Sequence, residues 1–181
     1  MDEIAQDVGL GKASLYHYFP TKEEVIRGVV ERELRQFVSD LERSLEATAT
    51  APAKLHMYAQ KRSKFFGQLI NLASLGEWSQ WRPITRDLFS NLVAAEERLL
   101  IPVFREGRQN GELDVQEPDR VARLIVHLLH GLRMRLLRNH RPEPGEVLPD
   151  ELERESLLCV DLLLKGLKRR QRHRPTVRNT T

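Results

Sequence analysis

The 181-residue chain is 40% hydrophobic and 30% charged with a net charge of +3, which suits a packed core under a charged surface and excludes disorder throughout. Ten Gly, nine Pro and 6% aromatics disfavour collagen-like, low-complexity and Tyr-rich β architectures, and a single cysteine, Cys159, excludes an internal disulfide framework or a multi-cysteine zinc site. No apolar run approaches the ~18 residues of a membrane span, and Met1-Asp2-Glu3 is acidic where a secretory leader is basic, so a soluble, cytoplasmic protein with no membrane contact is expected.

The first twenty residues carry the strongest signal. They divide into a short helix over Asp2–Val8, a turn containing Gly9 and Gly11, and a second short helix over Lys12–Tyr18. Ala5 is small enough for a crossing helix to approach, Gly9 can take a positive φ, and Ile4, Val8, Leu10 and Leu15 form an apolar wedge. Six such positions in register predict a DNA-binding helix-turn-helix. The second helix offers Lys12, Ala13, Ser14, Tyr16, His17 and Tyr18, and no acid lies between Val8 and Lys22. Small residues admit close approach to base edges, while hydroxyl, imidazole and ammonium groups donate to phosphates. Lys22 adds a cation where the backbone N–H groups of the next helix already favour a phosphate. Of the two tyrosines Tyr16 and Tyr18, one is expected to pack rather than contact DNA, and Phe19 reads as core.

Beyond this segment the pattern is helical, with no strand periodicity and no internal repeat. Thr21 followed by Glu24 is a capping box, opening a helix over Lys22–Ala47 in which Val25, Ile26, Val29, Phe37, Val38, Leu41 and Leu45 recur at helical spacing. Thr48–Ala53 breaks it. A helix from about Ala53 to Leu75 follows, then a short Trp-containing piece between Gly76 and Pro83. A third long helix, about Ile84–Asn110 with a kink at Pro102, ends at Asn110-Gly111. Pro118 occupies a first helical position ahead of Val121, Leu124, Ile125, Leu128, Leu129, Leu132 and Leu136. Residues 139–149 read as a loop, and Asp150 with Glu153 as the cap of a last helix to about Lys168. Leu157, Leu158, Val160, Leu162, Leu163, Leu164 and Leu167 cover more than half of that helix. A homodimer through the last two helices explains this better than a monomer core.

From Lys165 onward the chain carries seven Lys/Arg and no acid; without them it has 22 basic against 26 acidic residues, a net of −4. The basic character therefore belongs to a tail, read as solvated, and not to the whole surface.

The run Ile4-Ala5-Gln6-Asp7-Val8-Gly9-Leu10-Gly11-Lys12-Ala13-Ser14-Leu15-Tyr16-His17-Tyr18-Phe19-Pro20-Thr21-Lys22-Glu23-Glu24 resembles the TetR-type transcriptional regulators, above all in its Leu-Tyr-x-x-Phe core and the Lys-Glu-Glu helix start. The stretch Arg105-Glu106-Gly107 to Gly111-Glu112-Leu113 resembles the family's variable domain more loosely. The resemblance implies an all-α fold: a helix-turn-helix joined to a helical bundle, dimeric through its last two helices. It divides the chain into a DNA-binding unit with its connecting helix (1–47), an effector-binding and dimerisation domain (53–170) and a basic tail (171–181). It also implies that Lys12, Ala13, Ser14, Tyr16, His17 and Lys22 face a double-stranded operator, and that the protein is a repressor released by a small effector. Family members carry a helix ahead of the helix-turn-helix and this sequence begins at the motif. Either the native chain starts upstream of Met1 or it is shortened, and a shortened chain would be a dimeric small-molecule-binding module without specific DNA binding.

For the effector, Phe65, Phe66, Trp78, Trp81, Phe89, His127, His130 and Met134 are the candidate contacts, with Trp78 and Trp81 favoured by their place in the interrupted segment. They suggest an apolar or aromatic ligand. Arg82 reads as a surface residue before it reads as an anion partner. His127 and His130 lie three apart on a helix with no acid at i±3 or i±4, and His56 is a weak third ligand, so no metal or other cofactor is expected. Cys159 in its apolar helix reads as a small buried hydrophobe, and no glycine-rich phosphate loop is present, so catalysis is not expected.

Overall fold

The computed structural model describes residues 19–73, 78–139 and 149–167, with side chains over 19–69, 86–136 and 150–167. The described residues form five helices and no strand: α1 (Lys22–Ala47), α2 (Ala51–Ala73), α3 (Trp78–Gln109), α4 (Pro118–Asn139) and α5 (Pro149–Leu167). The all-α expectation holds. The helix-turn-helix, the loop over 140–148 and the basic tail lie outside the described residues.

Local chemistry sets most helix ends. Thr21 is extended and its Oγ1 accepts from Glu24 N at 3.2 Å, as the capping box requires. Thr48, again extended, ends α1 with its N–H on Leu45 O. The second helix starts two residues earlier than its spacing suggested. Thr50 supplies the cap (Ala53 N to Thr50 Oγ1, 3.3 Å), and Pro52 is tolerated because the first turn needs no N–H from it. Glu112 reaches across to accept from Ala51 N at 2.6 Å.

The largest departure concerns α3. The separate Trp-containing piece does not exist: α3 begins at Trp78 and runs unbroken through Pro83 and Pro102 to Gln109. Pro83 stands near the helix start, so it removes one ladder bond beside a region where donors are already unpaired, a penalty that the long helix absorbs. The C-terminus behaves as expected. Gly111 takes φ +72°, and the N–H groups of Glu112 and Leu113 both return to Gly107 O. Gly107 itself permits the close approach of α2, because a Cβ there would stand 2.7 Å from Ala51 Cβ and 2.8 Å from Leu113 Cδ1. Pro118 opens α4. α5, by contrast, begins at Pro149, which puts Asp150 inside the first turn rather than at the cap. There, beside Glu151, it still complements the helix dipole.

The core is a set of period-3.6 stripes meeting across the bundle. α2 packs chiefly on α5 and α3 on α4, while α1 lies against α3 and α2. Leu34, Phe37, Leu41 and Leu45 of α1 meet Leu55, Tyr58, Ala59 and Phe66 of α2, with Leu92, Leu100, Val103 and Phe104 from α3. Ala122, Ile125, Val126 and Leu129 of α4 and Leu152, Val160 and Leu164 of α5 complete it. Asp114 N donates to Leu167 O at 2.7 Å, fastening the α3–α4 connection to the end of α5.

Candidate functional site

Three of these stripes carry a charge where an apolar residue would be expected. Arg62 on α2 (2% exposed), Glu96 on α3 (0%) and Arg133 on α4 (6%) all point into the bundle. Arg62 Nε donates to Glu96 Oε1 at 2.8 Å, the Tyr58 hydroxyl donates to the same oxygen at 3.1 Å, and Arg62 Nη1 donates to Leu129 O at 3.3 Å. Burial and then the charge of Glu96 push the Tyr58 phenol well above its ordinary range, so it remains a donor. Burial works against the charge on Arg62, but Glu96 and Tyr58 outweigh it and hold the guanidinium charged.

Arg133 has no carboxylate partner in this cluster. Its guanidinium lies over the Phe66 ring at 3.9 Å and the Phe89 ring at 5.1 Å, and Arg62 approaches Phe66 from 4.7 Å. A desolvated cation–π contact is worth about 2 kcal/mol, well short of the several kcal/mol that burying a lone charge costs. Burial and then Arg62 lower the Arg133 pKa to about 9, which still leaves it cationic at neutral pH. One turn earlier, half-buried His130 is held neutral, its pKa lowered to about 4 by burial and then by Arg133, Arg62 and His127. Arg133 Nη2 also lies 3.8 Å from Met134 Sδ.

Of the candidate effector contacts, Phe66, Phe89, His130 and Met134 therefore gather around the two arginines. Phe65 turns toward α1, stacked on Phe37 at 4.3 Å while meeting Phe66 edge-on at 5.2 Å. His127 is exposed and lies 3.6 Å from Glu97, an acid that comes from another helix. Trp78 and Trp81 sit at the start of α3 instead of in a separate segment, and their side chains, like that of Arg82, lie outside the described residues. So do Lys12, Ala13, Ser14, Tyr16 and His17; Lys22 is the exposed first residue of α1. Phe19 packs beside Gly28, whose missing side chain leaves room for the ring.

Sequence reasoning missed Tyr58, Arg62, Glu96 and Arg133. A signal was present: Leu55-Ala59-Arg62-Phe66, Leu92-Glu96-Leu100 and Val126-Leu129-Arg133-Leu136 each place a charge within an apolar stripe.

Two further observations bear on function. Leu124 and Leu128 of α4 and Leu158 and Leu162 of α5 are 47 to 59% exposed, each pair one helical turn apart. Burial and then Glu155 raise the Cys159 thiol pKa, which keeps it from being a reactive thiolate. Among the described residues no three His, Cys, Asp or Glu side chains converge as a metal site would require, and no helix is long and apolar enough to cross a membrane.

Comparison with known proteins fits this architecture. Residues 1–29 match the family model for bacterial regulatory proteins of the tetR family. The fatty acid metabolism regulator protein of Bacillus subtilis is 25% identical over 128 residues, covering 70% of this chain and 66% of that protein, just under two thirds of its length. Among solved structures, a transcriptional regulator from Cytophaga hutchinsonii superposes with a TM-score of 0.80 at 28% identity, over 93% of this chain and 88% of that one. FadR from Bacillus subtilis, solved with stearoyl-CoA, superposes with a TM-score of 0.59 at 20% identity, over 92% and 87% of the two chains, a likeness of fold. Residues 1–29 are thus similar to the tetR-family motif, and the helical fold is shared with a solved transcriptional regulator.

Proposed function

We propose that the protein is a dimeric, ligand-released repressor of transcription, acting in the cytoplasm on a double-stranded DNA operator, and not an enzyme. The observation that carries this reading is the tetR match over residues 1–29, which runs directly into α1, a helix packed against α2 and α3 of the bundle. In this reading residues 1–47 read DNA through Lys12, Ala13, Ser14, Tyr16, His17 and Lys22, residues 53–170 bind effector and dimerise, and residues 171–181 are a basic tail. The exposed leucines of α4 and α5 suit a dimer seam, since apolar pairs a turn apart on two adjacent helices gain from covering each other. That the curated relative regulates fatty acid metabolism, and that FadR was solved with an acyl-CoA, supports an apolar effector such as an acyl chain.

Release follows from geometry. α1 is joined to α3 by Arg27, which donates to both Asp87 oxygens at 2.9 and 2.5 Å, and to α2 by the Phe37–Phe65 stack. A ligand that binds more tightly when α2, α3 and α4 are displaced shifts the population toward that state and carries α1 with it. Two recognition helices moved off the ~34–36 Å half-site spacing lose the operator. The test is a salt series of fluorescence-anisotropy titrations on the DNA flanking the gene, for this chain and for one extended upstream in frame. Specific binding by either, abolished by effector, supports the repressor. No preference over a random duplex in both refutes it and leaves a dimeric small-molecule-binding module.

A further inference from the structure

We propose that Arg133 and Arg62 form a buried anion site, which takes the carboxylate or phosphate group of the effector itself with Phe66 and Phe89 against its apolar part. The inference rests on the ligand-responsive reading above and narrows it from any apolar effector to an amphipathic anion.

The argument is one of charge and unused donors. The cluster contains two guanidinium groups and one carboxylate, all at least nine-tenths buried, so it carries one net positive charge inside the bundle. Glu96 meets both Arg62 and Tyr58 through Oε1, its Oε2 being a buried acceptor without a partner, and among the described residues Arg133 has no carboxylate within hydrogen-bond distance. Arg133 Nε and Arg62 Nη2 are both buried donors with no hydrogen-bond partner. A water could satisfy one of these N–H groups but would not balance the charge; an anion does both. His130, neutral and half-buried one turn away, adds no competing cation and can itself donate. The aromatic faces lie on the same guanidinium: Phe66 and Phe89 meet Arg133 within 5.1 Å, so a chain or ring leaving the anionic group would run along them. Such a site takes an ionised headgroup, and a neutral ester or thioester at the same place would leave the charge unmet.

The site also touches the element that would move. Arg133 covers Phe66, Phe66 meets Phe65, and Phe65 stacks on Phe37 of α1. An anion that draws Arg133 off the Phe66 ring changes the packing at the middle of α1.

Isothermal titration calorimetry on the full chain, without DNA, tests the site with decanoate and decyl phosphate against decan-1-ol and methyl decanoate. The wild type is expected to prefer one or both anions over the neutral probes by about tenfold or more, the lower range for a charge-assisted hydrogen bond. Decanoate and decyl phosphate distinguish a carboxylate ligand from a phosphate one. Arg133→Met should erase the preference while keeping binding of decan-1-ol, and Arg133→Lys should retain most of it. The Met variant should unfold at or above the wild-type temperature, because it removes an unmatched buried charge. Equal affinity for charged and neutral probes, no anion binding at millimolar concentration, or a preference that survives Arg133→Met would each overturn the site. Anions that bind through Arg133 yet leave DNA binding unchanged uphold the site and refute the repressor reading. A neutral ligand that releases DNA while no anion binds does the reverse.

Discussion

Replacing Glu96 with Leu should be among the most damaging single changes available in this bundle. The substitution removes the carboxylate that pairs with Arg62, leaves the Tyr58 hydroxyl without its acceptor, and takes the buried cluster from one net positive charge to two. Breaking one side of a buried ion pair costs roughly 3–5 kcal/mol, because the surviving charge keeps its desolvation penalty and loses its compensation. For a chain of this size each kcal/mol lowers the melting temperature by roughly 2–4 °C, so a fall of about 6–20 °C is expected. Removing both charges is a different matter. In Arg62→Met/Glu96→Leu the volume is conserved and no lone charge remains between those two positions, so most of the loss should be recovered, the remainder being the roughly 1–3 kcal/mol of the Tyr58 hydroxyl left without its acceptor. Urea unfolding with matched m-values, at one fixed protein concentration because any self-association shifts the midpoint, gives both numbers. If Glu96→Leu costs under ~1 kcal/mol, or if the double variant is as unstable as the single, the cluster is not the coupled, water-poor unit argued above.

Gly107→Ala should destabilise by about 1–3 kcal/mol, since its Cβ would lie 2.7 Å from Ala51 Cβ, a backbone-anchored atom that cannot swing aside; chemical denaturation measures it. His130 makes the fold sensitive to acid. Its native pKa of about 4 lies below the unfolded value near 6.5, so between those pH values the unfolded chain binds more protons and stability falls as pH falls. The full shift corresponds to about 3 kcal/mol, discounted to about 1 kcal/mol because the ring is only half-buried; His130→Gln should flatten the slope of stability between pH 6.5 and 4. Leu128→Glu with Leu162→Glu should convert a dimer to monomer in multi-angle light scattering without loss of helical circular dichroism, and a mass unchanged by both substitutions would show that this face is not the seam.

What could be read from the amino acids was what local chemistry decides. Thr21 and Glu24, Pro118 and the Asn110-Gly111 stop act within a single turn, and each sits where it was expected. Pro83 misled because a proline reads as punctuation, whereas near the start of a long helix it costs one bond. Asp150 misled in a smaller way: an acidic cap and an acidic first turn have the same composition, and Pro149 settled which it was. The buried cluster was illegible for a deeper reason. A lone Arg or Glu among leucines is read as the solvated face of its helix, and only the folded chain brings Arg62 to Glu96, 34 positions away, with Arg133 on a third helix. The same limit applies to Phe65, which reads equally well as an effector contact or as the ring that Phe37 stacks on.

Besides its core residues Val30, Leu34, Leu41 and Leu45, two side-chain attachments make α1 a beam resting on two different helices. Phe37 rests on α2 through Phe65 and Arg27 rests on α3 through Asp87, supports ten residues or ~15 Å apart, with Lys22 five residues beyond Arg27. If α3 slides ~1 Å against α2, the beam tilts by ~4°, and its tip, ~22 Å from the Phe37 support, swings by ~1.5 Å. Sub-ångström rearrangements beside Phe66 and Phe89 are thus magnified before they reach residue 22. The positions of these anchors enter the gain, so moving either by one turn would change it without altering the buried arginines or the residues ahead of α1.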